Sequence, residues 1–261
     1  MPETLSTTSR VVEFADLACH LNERGAGPPL VVLHHSTGPF WSPLHEALSE
    51  SFHVIAPDMP GYGQSTRPVT ARHPAHLAAL LNQMFATIDL DQIDLVGLGF
   101  GGWVAAELAT MDQRRLRTLT LVGAAGIRPR EGLIHDPMAD SWTAYARQCF
   151  RDLDHFSAVF GVDPPQEVID VWDYSREMTA RVTWKPWMWS LQLPALLRGV
   201  KTPSLVIWGG DDQIVPLDSG RQYNEVLDNS RLEVIPKAGH VVELEEPRRV
   251  ADLITAFAVS A

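Results

Sequence analysis

The stretch DLVGLGFGGWVAAELA, residues 94–109, changes character in its middle. It begins as a short apolar run typical of a buried strand and ends with the apolar spacing of a helix. Between them, the segment GLGFGG places four glycines in six positions, from Gly97 to Gly102. Because glycine adopts positive φ at no steric cost, this segment predicts a sharp turn that joins a strand directly to a helix.

The same alternation recurs along most of the chain. Short runs rich in Val, Ile and Leu are each followed by a longer segment with helical spacing; they lie at residues 30–34, 54–57, 93–97, 119–123, 205–208 and 232–235. Continuous apolar runs of this length indicate strands buried on both faces, as in a parallel sheet. Residues 11–24 alternate less cleanly and predict an antiparallel hairpin at the sheet edge. The pattern predicts an α/β fold.

The alternation stops after Gly126. Residues 127–200 contain repeated prolines and two helix-like pieces, at 141–150 and 165–181. We therefore predict a core domain formed by residues 1–126 and 201–261, and a helical cap insertion at residues 127–200. Five of the eight tryptophans lie in the insertion. They either pack the insertion onto the sheet or line a substrate pocket, and Trp142, Trp184 and Trp187 are the candidates for the second role.

Composition limits the partners. The chain has 261 residues, with 21 Lys and Arg against 32 Asp and Glu, and no basic cluster, which argues against nucleic-acid binding. No apolar run reaches the length of a membrane span, and the first residues lack the pattern of a secretory leader. Cys19 and Cys149 are too few for a disulfide framework or a four-ligand zinc site. We expect a cytoplasmic protein that acts on a small molecule without metal or cofactor; its oligomeric state stays open.

Five stretches together resemble the α/β-hydrolase fold, in its small, capped, single-domain form. In chain order they are LVVLHHSTGPF (30–40), APDMPGYGQS (56–65), VGLGFGG (96–102), LVIWGGDDQIVP (205–216) and KAGHVVELEEP (237–247). Each match alone is weak, but their order is the one that this fold requires. The resemblance implies a mostly parallel, twisted sheet flanked by helices, with a helical cap.

The resemblance also implies site residues. Asp212 matches the acid of the catalytic triad and His240 its histidine, with Asp211 as the alternative acid in register. The backbone N–H groups of Phe100 and Ser36 match the oxyanion hole. A histidine that removes a proton, oriented by a carboxylate, is the general base of this chemistry.

Two positions depart from the family pattern. The nucleophile turn normally reads G-x-S-x-G, and Gly99 stands where the serine belongs. His35 stands where the family usually has glycine, so its side chain either acts on a ligand in the pocket or is merely packed. We expect His34 to be structural. Glu243, three residues after His240, is expected to help open the last helix.

Without a hydroxyl at residue 99, a covalent acyl-enzyme at that position is excluded. Four interpretations remain: base catalysis by His240 and Asp212 without a serine, a substitute nucleophile such as Ser36, a non-catalytic ligand-binding relative, and a serine hydrolase altered at residue 99. Retention of both triad partners favours the first. An aromatic cap and an oxyanion hole predict a small, largely apolar carbonyl substrate.

Overall fold

An eight-stranded sheet forms the centre of the computed structural model, which describes residues 6–261 except the side chain of Trp142. The strands are β1 (Thr8–Phe14), β2 (Leu17–Arg24), β3 (Pro29–Leu33), β4 (His53–Pro57), β5 (Ile93–Leu98), β6 (Leu116–Val122), β7 (Ser204–Gly209) and β8 (Ser230–Ile235). Their order in the sheet is β1-β2-β4-β3-β5-β6-β7-β8. Strand β2 pairs antiparallel with β1 and β4, and all other neighbours are parallel. The predicted α/β fold and its edge hairpin are confirmed.

Helices cover both faces of the sheet. They are α1 (Pro43–Leu48), α2 (Pro74–Thr87), α3 (Phe100–Met111), α4 (Trp142–Gln148), α5 (Leu153–Phe160), α6 (Gln166–Thr183), α7 (Leu193–Leu197), α8 (Leu217–Val226), α9 (Val242–Glu245) and α10 (Pro247–Ser260). Successive strand residues point to opposite faces. Accordingly, Leu95 joins an apolar cluster with residues of α2, α3 and α8, whereas Val96 joins a second cluster with residues of α1 and α10. No helix within residues 6–261 is both long and apolar enough to cross a membrane.

In the segment between β6 and β7, helix α6 packs on the loops that follow β3 and β4. The regular elements of this segment are the helices α4 to α7, and its described residues add no strand to the sheet. A Cβ placed on Gly61 would lie 2.8 Å from the end of the Met178 side chain, so α6 packs closely on the loop after β4. The Tyr62 hydroxyl also lies 2.9 Å from that of Thr179 on α6. These contacts place α6 at the carboxyl ends of the strands, where open α/β sheets bind ligands.

The turn between β5 and α3 has the predicted sharpness. Gly99 adopts φ +52° and ψ −110°, a conformation that side chains rarely take. Gly101 brings α3 against β3: a Cβ there would lie 2.5 Å from the carbonyl oxygen of His34 and 2.7 Å from the carbonyl carbon of Leu33. Both contacts are with backbone, which yields less readily than a side chain.

Gly101→Ala should therefore destabilise the fold. Forcing a methyl group against backbone atoms in a packed core costs about 1–3 kcal/mol. Urea denaturation measures the change. Gly210→Ala is the matched control, because its Cβ would meet its nearest atom at 3.4 Å, an ordinary contact. Equal free energies of unfolding for the two variants would show that α3 does not depend on this close approach.

Candidate active site

His240 and Asp212 form a buried pair at the carboxyl edge of the sheet. Asp212 follows β7 and His240 follows β8, so the parallel strands bring the two loops together. His240 Nδ1 lies 2.9 Å from Asp212 Oδ2. The other carboxylate oxygen, Oδ1, accepts the backbone N–H groups of Ile214 and Val215, at 2.8 and 2.9 Å. Two backbone hydrogen bonds therefore fix the carboxylate independently of its bond to the imidazole.

The hydrogen bond determines which nitrogen of His240 carries the proton. A carboxylate only accepts, so Nδ1 donates and the neutral ring has its lone pair on Nε2. Burial disfavours the charged ring, but the charge and hydrogen bond of Asp212 and the charge of Glu243 outweigh it and raise the pKa of His240. Asp211, the alternative acid, instead pairs with Arg151 at the surface, at 2.9 Å.

A second histidine–carboxylate pair faces the first. His35 Nε2 lies 2.9 Å from Glu243 Oε1, and only 1% of Glu243 is exposed. By the same reasoning Nε2 donates, and the lone pair of the neutral His35 ring lies on Nδ1. The rings of His35 and His240 meet edge to face, with centroids 5.2 Å apart and planes inclined at 69°.

The His35 ring occupies the space of the expected nucleophile. A Cβ built on Gly99 would overlap His35 Nδ1 and would lie 3.2 Å from His240 Nε2. Both lone-pair nitrogens therefore lie next to the position that a side chain at residue 99 would take. The two departures from the family pattern are complementary. Because residue 99 is a glycine, it has no side chain that would clash with the imidazole of His35.

His34 has the structural role that we expected. Its Nε2 accepts the backbone N–H of Met59 at 3.1 Å, and its Nδ1 lies 2.7 Å from the carbonyl oxygen of His35, to which it donates. Burial lowers the pKa of His34 to about 3, so the ring stays neutral. These bonds hold the loop that carries His35.

The predicted oxyanion-hole residues lie next to this site. Phe100 is the first residue of α3, where the helix exposes N–H groups and partial positive charge. Among the residues that the structure describes, the backbone N–H groups of Phe100 and Ser36 have no hydrogen-bond acceptor. The Ser36 hydroxyl hydrogen-bonds with Tyr145. That bond weakens the interpretation of Ser36 as a nucleophile, which would need to face His240.

A cavity of about 290 Å³ opens beside His35. His35 and Glu243 are part of its lining, whereas His240 and Gly99 lie behind His35, outside the lining residues. The lining is otherwise largely apolar and contains no Lys or Arg among the described residues. Its aromatic walls are Phe40, Phe150, Phe160 and Trp172.

Two of the three candidate tryptophans lie away from the cavity. Trp184 is 69% exposed, and its ring meets that of Trp187 with centroids 6.1 Å apart. Neither lines the cavity, which corrects the expected position of both. Trp142 begins α4, but its side chain lies outside the described part of the chain. Among the described tryptophan side chains, the one that lines the cavity is Trp172.

Sequence reasoning also missed Glu243 and the phenylalanines of the cap. Glu243 was expected to help open the last helix; it lies instead within the short helix α9, with its side chain buried against His35. The available signal was the unusual histidine at residue 35, because a buried imidazole needs a hydrogen-bond partner. Sequence spacing offered no such signal for Phe150 and Phe160.

The sequence and the structure are similar to those of known hydrolases. The chain is 28% identical to a 2-hydroxy-6-oxo-2,4-heptadienoate hydrolase of Pseudomonas putida, over 95% of each chain. It is 27% identical to a 2-hydroxymuconate semialdehyde hydrolase of a Pseudomonas species, over 100% of this chain and 97% of that one. A meta-cleavage product hydrolase from Pseudomonas fluorescens has a similar structure, with a TM-score of 0.80 and 22% identity over 96% of this chain and 97% of that one. The model of the alpha/beta hydrolase family matches residues 30–253, and the chain belongs to that family.

Proposed function

We propose that the protein hydrolyses a carbon–carbon bond next to a carbonyl group in a small, largely apolar substrate, without a serine nucleophile. The observation that carries this proposal is the His240 Nε2 lone pair, held by Asp212 and directed at the residue-99 position. Relatives named as hydrolases of oxo-dienoates and of meta-cleavage products support the reaction class. The apolar cavity supports the substrate class.

His240 acts as the base. It removes a proton from water as the water oxygen attacks the substrate carbonyl carbon, and Asp212 stabilises the imidazolium that forms. The N–H groups of Phe100 and Ser36 hold the developing oxyanion. His240 then returns the proton to the carbon that leaves.

Turnover of a panel of β-diketones, lactones and activated esters, with products identified, tests this function. His240→Ala should reduce turnover to background.

Two other interpretations explain less. A ligand-binding protein needs no fixed imidazole tautomer, yet both carboxylates are buried and hydrogen-bonded to a histidine. A serine hydrolase altered only at residue 99 would have space for the serine side chain there. In this protein His35 overlaps that space, so the site differs from a serine site by more than one substitution.

The cavity should discriminate by charge. It has Glu167 and Glu243 in its lining and no Lys or Arg among the described residues, so a bound carboxylate would be desolvated without a cation. We expect kcat/KM for an uncharged diketone to exceed that for a dienoate acid of similar size by about 100-fold or more. Paired kinetics on a dienoate acid and its methyl ketone analogue measure the ratio. A preference for the acid would contradict the uncharged substrate class.

Activity should fall at acidic pH. His240 accepts a proton only when neutral, and its pKa is raised above the ordinary value of 6.5. The protonated form therefore persists to higher pH than in a free histidine, and kcat/KM should rise with pH through a midpoint above 6.5. A profile from about pH 5 to about pH 9 locates the midpoint. A midpoint below the ordinary value would exclude His240 as the base.

A further inference from the structure

We propose that His35 and Glu243 form a second catalytic dyad, which joins His240 and Asp212 in binding the water molecule that attacks the substrate. This inference rests on the proposed function and deepens it. In a serine hydrolase the nucleophile is a side-chain oxygen on the turn after the central strand. Here His35 Nδ1 and His240 Nε2 both lie near the Cβ position of residue 99, and a water oxygen bound between the two nitrogens takes the role of the missing hydroxyl.

Hydrogen bonds to buried carboxylates fix the tautomers of the two rings. Each histidine donates one N–H to a buried carboxylate, His35 through Nε2 and His240 through Nδ1. Each neutral ring therefore has a lone pair on the other nitrogen, and both of these nitrogens are among the atoms nearest to the Cβ position of residue 99. Water has two O–H donors, one for each acceptor. Binding both hydrogens directs the oxygen lone pairs towards a third partner, the carbonyl carbon.

The burial of Glu243 also supports the second dyad. Glu243 is 1% exposed, and its Oε2 has no hydrogen-bond partner among residues 6–261. Burying a carboxylate is costly unless it is compensated by a partner. Its one bond, through Oε1, goes to His35, whose ring borders both the cavity and the residue-99 position. The burial of Glu243 is explained if its carboxylate orients His35, in the way that Asp212 orients His240.

The atoms and charges of the reaction balance with this pair. His240 takes one water proton while the oxygen bonds to the carbonyl carbon, whose π electrons move to the carbonyl oxygen. When the oxyanion collapses, the carbon–carbon bond breaks, its electron pair goes to the leaving carbon, and that carbon takes the proton from His240. The second water proton remains on the new carboxylic acid. His35 Nδ1 receives it as the acid ionises, and releases it to solvent when the products leave.

Kinetics of matched variants test the dyad. His35→Gln and Glu243→Gln should each lower kcat by about 100-fold or more, with little change in KM, because a water bound by one acceptor is poorly oriented. Glu246→Gln is the control: it makes the same charge change three residues further on, at an exposed side chain without a bond to this site. His35→Gly, which introduces the usual family residue, should recover at least 10-fold in rate on addition of imidazole.

The outcomes separate the dyad from the proposed function. If His240→Ala loses activity while His35→Gln retains it within about three-fold, the base remains and the second dyad is wrong. If the unaltered protein turns over no substrate, the proposed function fails, and ¹⁵N NMR of the resting protein decides the dyad. A proton on His35 Nδ1 would overturn it, since that nitrogen could not accept from water. A proton on His35 Nε2 in the unaltered protein would support the dyad, if the same tautomer is no longer fixed in Glu243→Gln.

Discussion

Gly99→Ser alone will not produce an acyl-enzyme, whereas the double variant His35→Gly with Gly99→Ser will hydrolyse activated esters through one. In the single variant the introduced side chain overlaps His35 Nδ1. Removing the imidazole frees the space and leaves the serine Cβ 3.2 Å from His240 Nε2, so a suitable rotamer brings its hydroxyl to the base. Gain of a nucleophile beside an intact histidine–aspartate pair should raise ester hydrolysis at least about 1,000-fold over the single variant.

Burst kinetics with a chromogenic ester and mass spectrometry of the trapped protein measure this gain. Thr37→Gly combined with Gly99→Ser is the control, because it adds a glycine to the same loop and leaves His35 in place. If the single variant acylates as fast as the double variant, His35 does not occupy the nucleophile position in solution.

Asp212→Asn should lower kcat by three to four orders of magnitude, in line with the loss of about 10⁴-fold known for the equivalent change in serine proteases. The Oδ1 atom of Asp212 accepts two backbone N–H groups, which would hold the asparagine oxygen at that position. The amide NH₂ would then face His240 Nδ1 and donate to it. The imidazole would carry its proton on Nε2, where a lone pair is needed.

Asp211→Asn is the control for this experiment. It makes the same chemical change one residue earlier, at a side chain that pairs with Arg151 at the surface. We expect it to change kcat by less than about two-fold. Full activity in Asp212→Asn would show that the tautomer of His240 has no part in the reaction.

The fold was predictable because its signals are local, and the first dyad was predictable from the resemblance of two segments to α/β-hydrolase motifs. Each strand is a continuous apolar run, and the order of the runs determines a parallel sheet with its functional loops at one edge. Asp212 and His240 follow two neighbouring parallel strands, β7 and β8, so their loops had to meet. The turn at Gly99 was equally local, since its glycines specify the backbone conformation.

The second dyad and the cavity walls were not predictable in this way. His35 and Glu243 are 208 residues apart, and only the packing of α9 against the loop after β3 brings them together. A glutamate shortly after the histidine is equally compatible with an exposed helix start. Aromatic residues of the cap serve packing and pockets alike, so composition could not separate Trp172 from the exposed Trp184.

The most direct test of catalysis without a serine is the turnover of an uncharged β-diketone by the unaltered protein and by His240→Ala, with both cleavage products identified. We predict that the unaltered protein forms one carboxylic acid and one ketone, and that His240→Ala lowers the rate by at least about 1,000-fold. Cleavage that persists in His240→Ala, or a protein that cleaves no carbonyl substrate although it binds one, would contradict the account.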